Sequence, residues 1–241
     1  MRTKVFTVFL RLIKFFAAVL LFPAVCLVAA GTLKAFFALF ARFEEGFPFL
    51  LGAGIYVLAH FGVGRPGRFY VLTHEMTHAA AAWSSGFKVK RMKVGKNGGA
   101  VVLDGSNAFV ALAPYCLPLY AALLVIGYAA GSLFYDLKPW NDFFTFGLGL
   151  FMAFHIVNTA ETLISEKQSD LPAAGGVVFS LAVIILANCA VVLTALKFLY
   201  PETVNVRHEL YAVWNGSSVF WQKVLDWTVQ LYAYLQDKLK T

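Results

Sequence analysis

The sequence predicts an all-α polytopic membrane protein with about five or six transmembrane helices and a short β-hairpin inserted after one of them. The first observation is composition, because 60% of the 241 residues are hydrophobic and only 14% are charged. Mean hydropathy is +0.71, whereas a soluble domain is roughly half apolar and a quarter charged. The second observation is that apolar runs long enough to cross a bilayer recur along the chain. The third is a single basic segment with an Asn-Gly pair, which interrupts those runs and is typical of a hairpin.

Charge and cysteine usage argue against two other classes of protein. In a membrane protein, a net charge of +7 is better explained by orientation and by contact with anionic headgroups than by nucleic-acid binding. Cys26, Cys116 and Cys189 each lie inside an apolar run, so we expect packing residues and neither a disulfide framework nor a cysteine metal site. The expected partners are therefore the lipid bilayer and no nucleic acid.

Residues 1–65 are interpreted as N-terminal membrane segments. Phe15 to Gly31 follows a basic start, and the length of the apolar run favours an uncleaved membrane helix over a signal peptide. Lys34 to Glu45 mixes phenylalanines with charges, which predicts an interfacial helix. Phe49 to Val63 is short and contains glycines, so a spanning helix and a re-entrant segment both stay open.

Residues 66–200 are predicted to form the core of the protein, and its first helix carries His74-Glu75-Met76-Thr77-His78. No Gly or Pro interrupts Phe69 to Trp83, and Ser84-Ser85-Gly86 supplies a stop signal. Two histidines four residues apart lie on one face of a helix, so their ring nitrogens can meet at one Zn²⁺ ion. Glu75, beside the first histidine, is placed to accept a proton from a zinc-bound water.

A change of composition after this helix predicts a β-hairpin over residues 87–104. Phe87 to Val94 alternates imperfectly with period two, Gly95-Lys96-Asn97-Gly98-Gly99 reads as a turn, and Ala100 to Leu103 reads as a second strand. We expect this hairpin at the membrane surface. It is either a plain connector or an edge that receives the substrate as an added strand.

The rest of the chain predicts three further helical regions and a tail. Pro114 and Pro118 should bend the first of these regions or delay its start. In the tail, apolar side chains recur at spacings of three and four, which is typical of an amphipathic helix in the headgroup region or on the bundle. The predicted regions are Asn107–Tyr135, Phe143–Ile164, Gly175–Leu199 and the C-terminal helix within 201–241.

A catalytic zinc ion takes three protein ligands, so a third residue must join His74 and His78. We favour Asp170, because it lies in a polar stretch before the last span and approaches from a different direction. A carboxylate also offsets the charge of the ion in a low-dielectric site. The alternative role of Asp170 is a helix N-cap. His155 is the competing third ligand.

Other polar residues receive secondary roles. His155 and Asn158 share one face of a predicted span with Thr162, and either could donate a hydrogen bond to a developing oxyanion. Glu161 and Asp104 are weaker candidates for the third ligand. The remaining histidines, His60 and His208, are expected to be structural.

Over about residues 66 to 200 the chain resembles the site-2 protease family of intramembrane zinc metallopeptidases. In that family the third ligand is an aspartate in an Asn- and Pro-containing motif ending Leu-Asp-Gly, and Ser169-Asp170-Leu171 stands in its place here. The resemblance implies cleavage of a membrane-embedded or juxtamembrane segment of a substrate protein. The matching features are His74-Glu75-Met76-Thr77-His78, the small-residue stretch with Gly86, the β segment around Gly98-Gly99, Ala111-Leu112-Ala113-Pro114 and the acid-bearing motif before a later span.

The sequence thus predicts a zinc metalloendopeptidase, multi-pass in a bacterial cell membrane, that cleaves a membrane protein. One alternative is a membrane metallopeptidase of another H-E-x-x-H family, with Glu161 as third ligand. Another is a non-proteolytic metal-binding scaffold or transporter. The basic N-terminus and the basic segment Lys88 to Lys96 both favour the cytoplasm, and they share a side only if an even number of spans separates them.

Overall fold

The computed structural model describes residues 2–95, 98–165 and 168–239, and within these ranges the chain is mostly helical with one antiparallel hairpin. A short 3₁₀ turn, Lys138–Trp140, precedes the sixth helix. The elements are α1 Arg2–Ala41, α2 Phe43–Val63, α3 Gly67–Ser84, β1 Val89–Val94, β2 Gly99–Leu103, α4 Ala108–Cys116, α5 Leu119–Ser132, α6 Asn141–Ser165, α7 Asp170–Ala174, α8 Val177–Leu199 and α9 Val206–Lys238.

Within the described residues, four helices are long and apolar enough to cross a membrane, or five if the bent pair α4 and α5 counts as one span. The four segments are Val8–Ala41, Phe43–Val63, Lys138–Ser165 and Val177–Leu199. Helix α3, which carries the H-E-x-x-H motif, is not among them. The prediction of five or six spans had included α3, whose polar side chains lower its hydropathy.

The first helix is longer than the sequence predicted. Lys34 to Glu45 was predicted as a separate interfacial helix, but residues 34–41 continue α1 without a break and the next helix begins at Phe43.

The predicted effect of the prolines is confirmed, because α4 and α5 meet at an angle of 76° across Leu117-Pro118. Proline at position 118 cannot donate a backbone hydrogen bond, so the helix restarts there.

The direction of each long helix determines which of its ends lies near α3. Helices α1 and α8 run in the same direction, since Lys14 contacts Ala174 just before α8 and Leu39 packs with Tyr200 just after it. Helices α2 and α6 also run in the same direction, with Tyr56 against Phe154 at a centroid distance of 5.4 Å. As a result α2 and α6 end, and α8 begins, near α3, the hairpin and α7.

The close packing of α2 on α6 depends on two glycines. A Cβ added at Gly52 would overlap the carbonyl of Phe146, and a Cβ added at Gly149 would overlap the carbonyl of Phe49. Gly54, in the same helix as Gly52, has no heavy atom within 4 Å of its added Cβ. The absence of side chains at positions 52 and 149 therefore lets the two helix backbones approach.

We expect Gly52→Ala to lower the free energy of unfolding by about 1–3 kcal/mol, the usual cost of forcing an extra methyl group into a packed interface. Thermal unfolding of the purified protein measures this as a lower midpoint. Gly54→Ala is the matched control, and its stability should stay equal or rise, because alanine is a better helix former. Equal midpoints for both variants would contradict the role of Gly52 in packing.

The predicted hairpin is present, with β1 and β2 antiparallel and Met92 opposite Val101. The register shifts between Val89 and Arg91, so Lys90 is an extra, bulged residue. This bulge explains the imperfect alternation in the sequence, because it places Val89, like Met92, on the same face as Val101. Asn97, on which the predicted Asn-Gly turn depends, lies outside the described residues.

Candidate metal centre

Helix α3 ends where its sequence predicts, immediately after the motif-bearing segment. The chain turns at Gly86, whose φ of +79° lies in the left-handed region that favours glycine. The Gly86 amide donates to the Trp83 carbonyl, and the Phe87 amide donates to the Ala82 carbonyl at 2.9 Å. This Schellman pattern closes the helix and leads the chain directly into β1.

Three side chains that the sequence singled out meet beside α3. The rings of His74 and His78 meet edge to face, one turn apart, with centroids at 4.9 Å. Asp170, the first residue of α7, places Oδ2 at 3.8 Å from Nε2 of His74 and 3.5 Å from Nε2 of His78. One ligand atom from each residue lies within 4.8 Å of the others, so the group could hold a metal ion.

Both histidines present the same ring nitrogen to Asp170 because the other nitrogen has its own partner. Nδ1 of His78 donates to the carbonyl of Val110 at 2.8 Å. Nδ1 of His74 lies 3.4 Å from the hydroxyl of Tyr70, one turn earlier in α3. Metal-binding histidines usually engage their second nitrogen in this way, which fixes the ring and the tautomer. The carbonyl of Val110 is available at this position because the residue four positions later in α4 is Pro114, which has no backbone N–H to donate to it.

Asp170 is held by Tyr115 of α4, which also meets Gln168 in the loop before α7. The Tyr115 hydroxyl lies 2.9 Å from Oδ2 of Asp170 and 2.8 Å from Oε1 of Gln168. Burial opposes ionisation of Asp170, but His74, His78 and Tyr115 outweigh burial and lower its pKa below the usual range. The carboxylate is therefore ionised at neutral pH, as a metal ligand must be.

The other end of α7 is tied to the first helix. Nζ of Lys14 donates to the carbonyl of Ala174, the last residue of α7, at 2.7 Å. Gly175 and Gly176 follow with φ of +136° and +117°, both in the left-handed half of conformational space. These two glycines turn the chain from α7 into α8, so Asp170 can point back towards α3.

Glu75 lies in the same cavity as the three candidate ligands and is covered by the hairpin. The cavity has a volume of about 680 Å³ and its lining includes His74, Glu75, His78 and Asp170. A Cβ added at Gly99 would lie 2.7 Å from Cγ of Glu75 and 2.9 Å from Oε1, so β2 approaches this closely because position 99 has no side chain. Burial raises the pKa of Glu75, while the nearby histidines and a hydrogen bond from the Val101 amide oppose the rise.

Comparison with protein-family models, with curated proteins and with solved structures finds no match to this chain. Any account of the site therefore rests on the residues and on their geometry.

The predicted oxyanion donors lie outside the cavity. Among the described residues that line it, neither His155 nor Asn158 is present, although Thr162 from the same helix is. His155 is buried and borders a separate, smaller cavity that also touches His74. Asn158 is fully buried, and its amide nitrogen donates to the Tyr56 hydroxyl and to the Phe154 carbonyl.

The weaker ligand candidates have other neighbours. Oε2 of Glu161 lies 3.5 Å from Nε of Arg65 and 3.6 Å from Nε2 of His60, which makes it part of an ion cluster between α2 and α6. Asp104 borders the cavity, and its carboxylate accepts from the Lys88 amide at 2.7 Å. Neither residue belongs to the group of three ligand atoms.

Sequence reasoning missed the residues that orient the candidate ligands. Tyr70 carries a usable signal, since it lies four residues before His74 and so on the same helix face. Tyr115 and the Val110 carbonyl give no such signal, because they meet Asp170 and His78 across 55 and 32 residues of sequence.

Proposed function

We propose that this chain is a multi-pass membrane protein and an intramembrane zinc metalloprotease of the site-2 protease type. The observation that carries the proposal is the convergence of His74, His78 and Asp170 beside Glu75 in one cavity. Two imidazole nitrogens and one carboxylate oxygen are a donor set that suits zinc and leaves a fourth position open. A buried glutamate next to such a donor set is what peptide hydrolysis needs, whereas metal storage does not need it.

Each residue of the site has its own role in the proposed reaction. Bound zinc would lower the pKa of a coordinated water and polarise the scissile carbonyl. Glu75 would accept a proton from the attacking water and deliver it to the leaving amine nitrogen. The Val110 carbonyl can only accept, so it holds His78 in the tautomer that leaves Nε2 free. Tyr70 orients the ring of His74, and Tyr115 holds Asp170.

The hairpin supports a way of presenting the substrate. Gly99, Ala100, Val101 and Leu103 of β2 line the cavity, and no described residue of β1 does. β2 therefore borders the cavity that contains Glu75, and its edge away from β1 pairs with no other described strand. A substrate helix hides its amides, so it must unwind before attack, and an extended segment can then pair with this edge.

Orientation follows from the helix count under this proposal. Two candidate spans, α1 and α2, precede α3. The basic N-terminus and the basic hairpin are then on one side of the membrane, which the positive-inside rule identifies as the cytoplasmic side.

The proposed function is tested by replacing both histidines. The purified protein should contain about one zinc ion per chain, and His74→Ala combined with His78→Ala should remove both the zinc and the cleavage of a single-span substrate in vesicles. His208→Ala is the control, because the imidazole of His208 is exposed, lies 3.9 Å from Glu209 and is outside the group of candidate ligands. Unchanged metal content in the double variant would locate the metal elsewhere. Zinc binding without cleavage of any membrane substrate would favour a scaffold or a transporter.

The role of the hairpin is tested at Val101. Proline at this position removes a backbone amide of β2 and disturbs the edge of this strand. We expect Val101→Pro to slow cleavage by up to roughly tenfold, since a backbone hydrogen bond to an added strand contributes about 0.5–1.5 kcal/mol. Zinc content should not change.

Val101→Ala keeps the backbone amide and serves as the matched control, with near-normal cleavage expected. If the proline variant cleaves as fast as the alanine variant, the hairpin is a plain connector.

A further inference from the structure

The outer face of the hairpin carries a concentration of positive charge that catalysis does not use. We define the basic face as Lys88, Lys90, Arg91 and Lys93, all of which are exposed. None of these four side chains forms an ion pair with another residue in the described ranges. We propose that the basic face binds anionic lipid headgroups, and that this contact holds β2 against Glu75.

The bulge at Lys90 separates charged from apolar side chains. Because of it, Arg91 and Lys93 point to one face of the sheet while Val89, Met92 and Val94 share the other face with Val101. Without the extra residue, Val89 would fall on the same face as Arg91 and Lys93, because side chains alternate along a strand. The register thus places the basic side chains of β1 on one side of the hairpin and its apolar side chains on the other.

The position of the hairpin and its exposed apolar residues favour a lipid surface over an acidic protein segment. The cavity under β2 is also lined by Thr162 at the end of α6 and by Asp170 just before α8, so the hairpin lies level with the ends of candidate spans. Val102 is opposite Arg91 in the register, so it lies on the basic face, and it is 48% exposed. Met92 and Val94, on the other face, are 45% and 37% exposed. An exposed apolar side chain among unpaired basic ones fits the boundary between headgroups and acyl chains. Binding of an acidic protein segment would require the basic side chains but no exposed apolar side chain beside them.

The contact would connect membrane charge to the catalytic residue. The strand that carries most of the basic face, β1, is paired along its length with β2. Gly99 of β2 lies so close to Glu75 that an added Cβ would be 2.7 Å from Cγ of Glu75. A lipid surface that immobilises β1 therefore also restrains β2 over the cavity. This inference rests on the proposed function, because it requires a protein located in the membrane. It adds that anionic lipid activates the proposed catalytic site.

Hydrogen exchange in the full chain tests the inference without substrate or metal. The protein is reconstituted in nanodiscs of phosphatidylcholine alone or of phosphatidylcholine mixed with phosphatidylglycerol, and exchange is followed in residues 99–103. We expect exchange about tenfold slower in the anionic discs, the scale set by one or two basic side chains at an anionic surface. Arg91→Gln combined with Lys93→Gln should remove that difference.

Lys138→Gln combined with Arg207→Gln is the matched control, because it removes the same charge from exposed residues at the opposite end of the bundle and should keep the difference. Equal exchange of the wild type in both lipids would overturn the inference, as would protection that survives in the hairpin variant. Protection induced by polyglutamate in neutral discs, but not by phosphatidylglycerol, would assign the basic face to an acidic protein segment instead. Since cleavage is not the readout, failure of the proposed protease activity would leave this result interpretable.

Discussion

Replacing Glu75 with glutamine is expected to abolish peptide cleavage while zinc stays bound. Glutamine has nearly the same shape and leaves His74, His78 and Asp170 in place, but it cannot accept the proton of the attacking water. Loss of a positioned general base typically costs about 10²–10⁴-fold in rate. The measurement is cleavage of a single-span substrate in vesicles, alongside zinc content by elemental analysis.

Glu44→Gln is the control for this variant, because Glu44 is exposed in the first turn of α2 at the far end of the bundle. It should cleave at the wild-type rate. Zinc bound together with normal cleavage in the Glu75 variant would rule out the proposed mechanism. Loss of zinc in that variant would show that Glu75 acts as a ligand and not as a base.

Asp170→Ala should remove zinc and activity together. The three ligand atoms lie within 4.8 Å of one another, and removing the only carboxylate leaves two neutral imidazoles for a doubly charged ion. Changes to supporting residues alone cost about 10–100-fold in metal affinity, so we expect a larger loss here, measured by competition with a zinc chelator. Asp104→Asn is the matched control, because Asp104 borders the same cavity without joining the ligand group.

His155→Ala should instead retain most of the zinc and lower the activity. His155 is buried behind His74, next to a small separate cavity, so its loss disturbs the packing of the site and not its ligand set. If zinc is lost in the His155 variant and kept in the Asp170 variant, the third ligand is His155 and the chain departs from the site-2 protease arrangement.

The helix with its two histidines, the hairpin and the bend at Pro118 could be predicted because each depends on residues close together in sequence. Asp170 could be favoured for a general reason, since a metal site needs a charged ligand from a second direction. The supporting contacts of Val110 and Tyr115 could not be predicted, because they depend on how α4 docks against α3 and α7. The continuous helix through Lys34, in contrast, was predicted incorrectly from the sequence. Charged residues in an aromatic run suggested a boundary, but no glycine or proline follows Lys34 within α1 to enforce one.

The position of Asp170 in the chain also determines when the site can exist during synthesis. Asp170 follows His78 by 92 residues, which at ordinary elongation rates is a delay of about 5–20 s. Throughout that interval the third candidate ligand has not yet been made, and neither has helix α7, whose last carbonyl accepts from Lys14. A metal centre of these three residues is thus completed only after α6 has been made, so a nascent chain would stay inactive until its membrane core is nearly finished.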